Sequence, residues 1–476
     1  MTTDRRWRAY AVLAVSYFMT IVDLTITNVA LPTIGRDLHF AESNLQWVVT
    51  AYGLTFGGLL LLGGRAADLL GRRRIFMLGL VLFTAGSLAC ALANTDLLLI
   101  VMRGVQGLGA AIVLPSALSI VMNMFEEGAD RNRALGVWGA IAASGATVGL
   151  ITGGLLLRYL NWRYIFFLNV PIGTGALLLA PRIVPESRAG GRRRYDAFGA
   201  VSITAGLLLL VYALSMAPQD GWATAKTISL LATSGALVLV FLLIEARVEA
   251  PLMPLRLFRL STLAGANAVG LLLGGSFFAF IFIGTLYMQQ VLGWDALQTG
   301  LAWLATSVTS VALAGLSQAL VTRVSARLVM ALGMGLIGGG ILWATRVPVQ
   351  GHFWGDLAGP LFVTGAGTAF AFIPISVAAL AGVGERDAGI ASGLLNASQQ
   401  IGGAIGVAVA SSVAASRLES LVRAGASTPA ALTGGFQRAL WVCGAVGLTA
   451  VPVSFLLIRR TEVAPATAAR GTEVAA

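Results

Sequence analysis

The sequence predicts an all-α integral membrane protein: two pseudo-symmetric six-helix bundles with an inserted two-helix hairpin, about 14 transmembrane helices in all. Three observations predict it. First, 57% of the residues are hydrophobic, the mean hydropathy is +0.84 and only 11% are charged, where a soluble domain carries about 25%. Second, apolar runs long enough to span hydrocarbon as helices recur at 10–32, 45–63, 75–93, 97–122, 134–157, 163–184, 198–216, 227–245, 262–288, 300–321, 328–346, 357–381, 391–414 and 438–458. Third, the basic residues crowd into every second connection between those runs, the bias that sets membrane orientation.

With the N-terminus inside, the inside segments hold Arg5, Arg6 and Arg8, then Arg72–Arg74, then Arg192–Arg194, and 23 of the 32 basic residues altogether. The outside loops hold 8, and Arg103 lies within a span. The reverse topology would invert the bias, so both termini are expected in the cytoplasm and the chain in a bacterial plasma membrane, multi-pass. Six runs precede the long basic connection Arg182–Asp196, two follow it, and six come after Pro251–Leu260. The expected units are therefore 1–184, a six-helix bundle; 185–260, a linker and the inserted hairpin; 261–460, a second six-helix bundle; and 461–476, a tail whose Ala, Thr and Pro content predicts disorder. Val321–Arg327 reads as a degenerate copy of Gly64–Arg74, as an internal repeat would leave.

A formal charge of +11 would point to nucleic acid in a soluble protein. Here the arginines lie between apolar spans, so membrane lipids are the expected partner and nucleic acid is not. Cys90 and Cys443 each lie in an apolar run and are expected as small core residues, with no disulfide and no metal site. The two histidines, His39 and His352, fall in outside loops far apart in sequence, which leaves no catalytic constellation and predicts no enzyme. No cleavable signal is expected, because the first apolar segment is too long.

The stretch Ile21–Pro32 organises the chain. Asp23 lies inside the first apolar run, where a charge costs at least roughly 2.5–3.5 kcal/mol, so it is expected to face protein or water. Ser16, Thr20, Asp23 and Thr27 share one helical face. Arg103 and Gln106 share a face of the fourth run, in Val101–Ala111. Asp23 lies nine residues before Pro32 and Arg103 seven after Asp96, so at about 1.5 Å per residue both lie on the order of 10–14 Å below the outer ends. The two deep charges can therefore meet, and a carboxylate so placed either carries a proton or makes a static ion pair. Gly64–Arg74, on the inside between the second and third runs, holds Gly64, Asp68, Gly71 and Arg72 in what is either a tight functional turn or a short positive-inside loop. In the fifth run Gly145, Gly149, Gly153 and Gly154 make a flat face for close packing.

In their order and spacing these stretches resemble the major facilitator superfamily, and more closely its fourteen-span drug:proton antiporter family of multidrug and antibiotic exporters. Asn161–Gly173, Pro251–Arg259, Gln289–Gly293, Gln298–Gly300, Ala391–Asn396 and Gln400–Gly403 fit the same family, so the likeness covers nearly the whole chain. Leu150 stands where the helix-5 signature has proline, so flexibility there would rest on the glycines. The resemblance implies alternating access between two bundles around a midplane cavity. It implies proton coupling at Asp23 and Arg103, and a cytoplasmic latch around Asp68 and Arg72. It implies export of lipophilic small molecules driven by the proton gradient, with no cofactor; the sequence has no Walker-type phosphate loop. The chain is expected to work as a monomer.

The expected cavity faces are Thr20 and Thr27; Gln46 and Thr50; Gln106; Phe278 and Tyr287 within an aromatic cluster; and Asn396 with Gln400. Greasy walls with a few polar groups suit amphipathic molecules. The last six runs hold no mid-span carboxylate, so neutral, monocationic or anionic substrates are expected over dications. An importer of a small organic solute is the alternative within the same fold.

Overall fold

A computed structural model describes residues 3–40, 45, 47–126, 128–187, 196–248, 256–257, 260–384 and 388–458. No strand occurs among the described residues. The helices are α1 (Thr3–Asp37), α2 (Trp47–Leu70), α3 (Arg72–Ala91), α4 (Asp96–Met124), α5 (Ala129–Tyr159), α6 (Arg163–Ile183), α7 (Ala197–Asp220), α8 (Ala225–Glu245), α9 (Ser261–Val291), α10 (Ala296–Arg323), α11 (Ala326–Ala344), α12 (Phe353–Leu380), α13 (Ala388–Arg423) and α14 (Thr428–Leu457). α9 contains π turns at Gly274–Phe278 and Tyr287–Val291. Gln46, the arginine run 192–194, most of Pro251–Arg259 and the tail 461–476 lie outside the described residues.

Among the described residues, eleven helices are long and apolar enough to cross a membrane, or twelve with the bent α2 counted as one span. α5 and α7 run 31 and 24 residues, long enough to cross hydrocarbon as helices.

Local chemistry sets the helix ends. Gly71 has φ 112°, a conformation that other residues rarely adopt, and it divides α2 from α3. Thr95 caps α4 by accepting from Leu98 N–H, and Asp295 with Gln298 forms a capping box on α10, each satisfying orphan N–H groups.

α1 packs on α5 and α6, α2 on α4, and α3 on α4 and α6. In the later part of the chain α11 packs on α12 and α14, α13 on α9 and α14, and α10 on α12. Between these two sets α5 meets α10 and α12, while α13 meets α2 and α4. α7 and α8 pair with each other, and α7 lies against both α2 and α13. Trp47 of α2 stacks on Tyr212 of α7 at 5.7 Å, and Trp222 Nε1 donates to Ser412 Oγ of α13 at 2.6 Å.

Candidate functional site

The site lies within the first six helices, where α1, α2, α3, α4 and α6 converge. Asp23 is fully buried and Arg103 is 1% exposed. Arg103 Nη1 stands 2.5 Å from Asp23 Oδ2, which makes the expected meeting of the two deep charges an ion pair. Arg103 is held on three further sides. Its Nε donates to Val48 O of α2 at 2.9 Å, its Nη1 reaches Gln106 Oε1 at 2.8 Å, and its guanidinium lies 4.3 Å above the Tyr52 ring. A planar, permanently charged fork suits this set of partners as an ammonium would not.

Asp23 Oδ1 has its own donors. Gln106 Nε2 reaches it at 2.8 Å and Asn169 Nδ2 of α6 at 2.7 Å. Both amides also donate to Ser87 Oγ of α3, at 3.1 and 2.9 Å, and Ser87 passes its own hydrogen to Phe166 O at 3.1 Å. Asp23 thus accepts from an arginine and two amides. Both oxygens of the carboxylate are thereby answered, as burial of such a group demands.

Sequence reasoning placed Asp23, Arg103 and Gln106 but missed Ser87, Tyr52 and Asn169. Asn169 had a usable signal. It lies six residues into the sixth run from Arg163, roughly 9 Å deep at helical rise, near the level of the two charges. Ser87 and Tyr52 carried none, since serines and tyrosines are ordinary in such helices.

α5 clamps α1 beside this knot. A Cβ added at Gly145 would lie 2.4 Å from Ile21 Cγ2, one at Gly149 2.7 Å from Val22 O, and one at Gly153 3.0 Å from Ile26 Cγ1. Gly154 faces the other way, 3.0 Å from Leu297 Cα of α10, and Gly139 meets Ile373 of α12. One helix therefore touches the Asp23 helix on one face and the later helices on another.

The inner loop forms a second buried pair. Arg72 Nη2 lies 2.8 Å and Nε 3.0 Å from Asp68 Oδ1, with Ser119 of α4 at 3.4 Å. The loop is tied to the end of α6, because Arg72 N–H donates to Ser187 O and Arg73 N–H to Glu186 Oε1. Gly64 is buried near the end of α2.

The candidate cavity residues are less unified. Thr20 and Thr27 are buried and donate to the α1 carbonyls of Tyr17 and Asp23. Thr50 and Gln400 are half-buried, and Phe278 packs against Gly403. Asn396 donates to Ser392 O of its own helix. Tyr287 is buried, and its hydroxyl donates to Pro348 O in the connection between α11 and α12, at 2.6 Å. Gln106 belongs to the ion-pair knot. No group of three or more His, Cys, Asp or Glu side chains arranged for a metal occurs among the described residues.

Known proteins place this architecture. The chain is 39% identical over 412 residues to the cephamycin export protein CmcT of Amycolatopsis lactamdurans, covering 86% of this chain and 85% of that one. It is 35% identical to the puromycin resistance protein pur8 of Streptomyces alboniger, covering 97% and 93%. The solved structure of the proton:xylose symporter XylE shares the fold, with a TM-score of 0.66 at 14% identity and 98% of each chain covered. The family model for the Major Facilitator Superfamily matches residues 13–407; the chain belongs to that superfamily, and it is a transporter rather than an enzyme.

Proposed function

We propose that this chain exports amphipathic organic compounds across a bacterial plasma membrane in exchange for protons. The observation that carries the reading is the Asp23–Arg103 pair, buried in membrane-spanning helices where ionisable groups are costly and mark ion pathways. Relatives named for cephamycin export and puromycin resistance support export of drug-like molecules. In this reading all fourteen helices span, both termini face the cytoplasm, and α7–α8 form a hairpin between two six-helix units. The chain works as a monomer, with the proton gradient as its energy source.

The geometry supplies a route for coupling. A proton on Asp23 removes the charge that Arg103 opposes, while Arg103 keeps Val48 O, Gln106 and the Tyr52 ring. α1 is then released from α4. Because α5 has no side-chain cushion against Val22 and Ile26, a shift of α1 is passed to α5, and from α5 to α10 and α12. Asp68, Gly71 and Arg72 hold the inner ends of α2 and α3 during the cycle. Aromatic and amide side chains of α9 and α13, Phe278, Asn396 and Gln400 among them, contribute the substrate-facing walls.

Direction tests this reading. Inverted vesicles given an acid interior should accumulate a lipophilic test compound, and a protonophore should abolish the accumulation. Accumulation that is indifferent to the gradient, or that runs only when it is reversed, would overturn export by antiport.

A further inference from the structure

We infer that Asn169, oriented by Ser87, is a positioning residue that sets how readily Asp23 takes up its proton. The inference rests on the reading of Asp23 as the proton carrier and names what controls it.

The hydrogens of Ser87, Gln106 and Asn169 have determined directions. Ser87 gives its single hydroxyl hydrogen to Phe166 O, so toward Asn169 and Gln106 it can only accept. The side-chain carbonyl of Gln106 is taken by Arg103, so its amino group must face Asp23 and Ser87. Turning the Asn169 amide over would aim a carbonyl oxygen at the Asp23 carboxylate, at 2.7 Å, and another at the filled lone pairs of Ser87. The ring is thus polarised: Arg103, Gln106 and Asn169 each aim an N–H at Asp23.

A protonated carboxyl has to donate as well as accept. Ser87 Oγ already takes two amides and Gln106 Oε1 takes Arg103, while Asn169 presents its amino group rather than its carbonyl oxygen. Proton uptake therefore requires one donor to withdraw. Arg103 and Gln106 lie about one turn apart on α4 and are anchored by Val48, Tyr52 and each other. Asn169 is the donor on another helix. It sits two residues before Pro171 of α6, which has no N–H to continue the helical ladder. The charged or titratable neighbours of Asp23 on the packed elements are Arg103 of α4, Tyr52 of α2 and, beyond Gln106, Cys90 of α3; α5 presents glycines there.

The test uses the full-length protein in lipid and reads two things across pH: the infrared band of a protonated carboxyl, assigned to Asp23 by its loss in Asp23→Asn, and substrate-driven proton exchange. Asn169→Ala removes a donor to the carboxylate, so the band should persist to about tenfold lower proton concentration, and the midpoint of exchange should move about one pH unit to the alkaline side. Ser87→Ala, a near-isosteric change, should shift both the same way by a smaller factor. If both variants insert and keep the wild-type midpoint, the ring is structural and the inference fails while the carrier reading stands. A titrating band that survives Asp23→Asn would overturn the carrier reading, and this inference with it.

Discussion

Gly149 of α5 lies so close to Val22 of α1 that a methyl group on it would stand 2.7 Å from the Val22 carbonyl oxygen. The obstacle is backbone, which cannot rotate aside. Gly149→Ala is therefore expected to destabilise the protein by about 1–3 kcal/mol, the usual range for overpacking, and to reduce transport. Gly235→Ala on α8 is the matched control, since its new methyl meets nothing within 4 Å. There the better helix propensity of alanine, up to about 1 kcal/mol, should leave the melting temperature unchanged or raised. Thermal unfolding of both variants in detergent checks the contrast.

The Asp23–Arg103 pair should show strong coupling. Removing one partner leaves a buried charge unanswered, at about 3–5 kcal/mol, whereas replacing both with apolar residues of similar size is often close to neutral. Arg103→Met and Asp23→Leu are each expected to lower the unfolding temperature, and the double variant should recover most of the loss while remaining transport-dead. A double-mutant cycle on thermal stability measures this directly. Additive losses would mean that the two charges do not depend on each other.

The inner loop offers a comparison of buried and exposed pairs. Arg72 and Asp68 are 2% and 0% exposed, while Arg73 and Glu186 are 29% and 24% exposed at 3.7 Å. Asp68→Asn removes the negative charge opposite the buried Arg72 guanidinium and is expected to abolish transport with a stability loss of several kcal/mol. Glu186→Gln loosens a solvent-screened contact and is expected to cost no more than about 1 kcal/mol, with transport largely kept.

Much of the site was legible because depth can be counted along a helix. Asp23 and Arg103 came from different runs, yet residue counts from the outer ends put them at one level, and the structure pairs them. Gln106 followed from sharing a face with Arg103. Asn169 obeys the same rule but was hidden among aromatic neighbours, and its partner Ser87 is a residue that helices in lipid use everywhere for packing. The second-half candidates were harder to read. Helices that are apolar all round do not declare which face meets a cavity. Asn396 consequently turns out to bond within its own helix, and Tyr287 to hold the α11–α12 connection. The glycine runs declared close packing, but not that α5 would use opposite faces for α1 and α10.

In the proposed mechanism export is coupled to protons through Asp23. The most direct measurement is substrate-driven proton movement in inverted vesicles, for wild type and Asp23→Asn at matched expression, across a panel of lipophilic compounds. The account predicts that wild type exchanges protons for at least one compound and that Asp23→Asn, though inserted normally, moves none. Undiminished proton exchange in Asp23→Asn would contradict it and would leave the buried pair as a structural tie between α1 and α4.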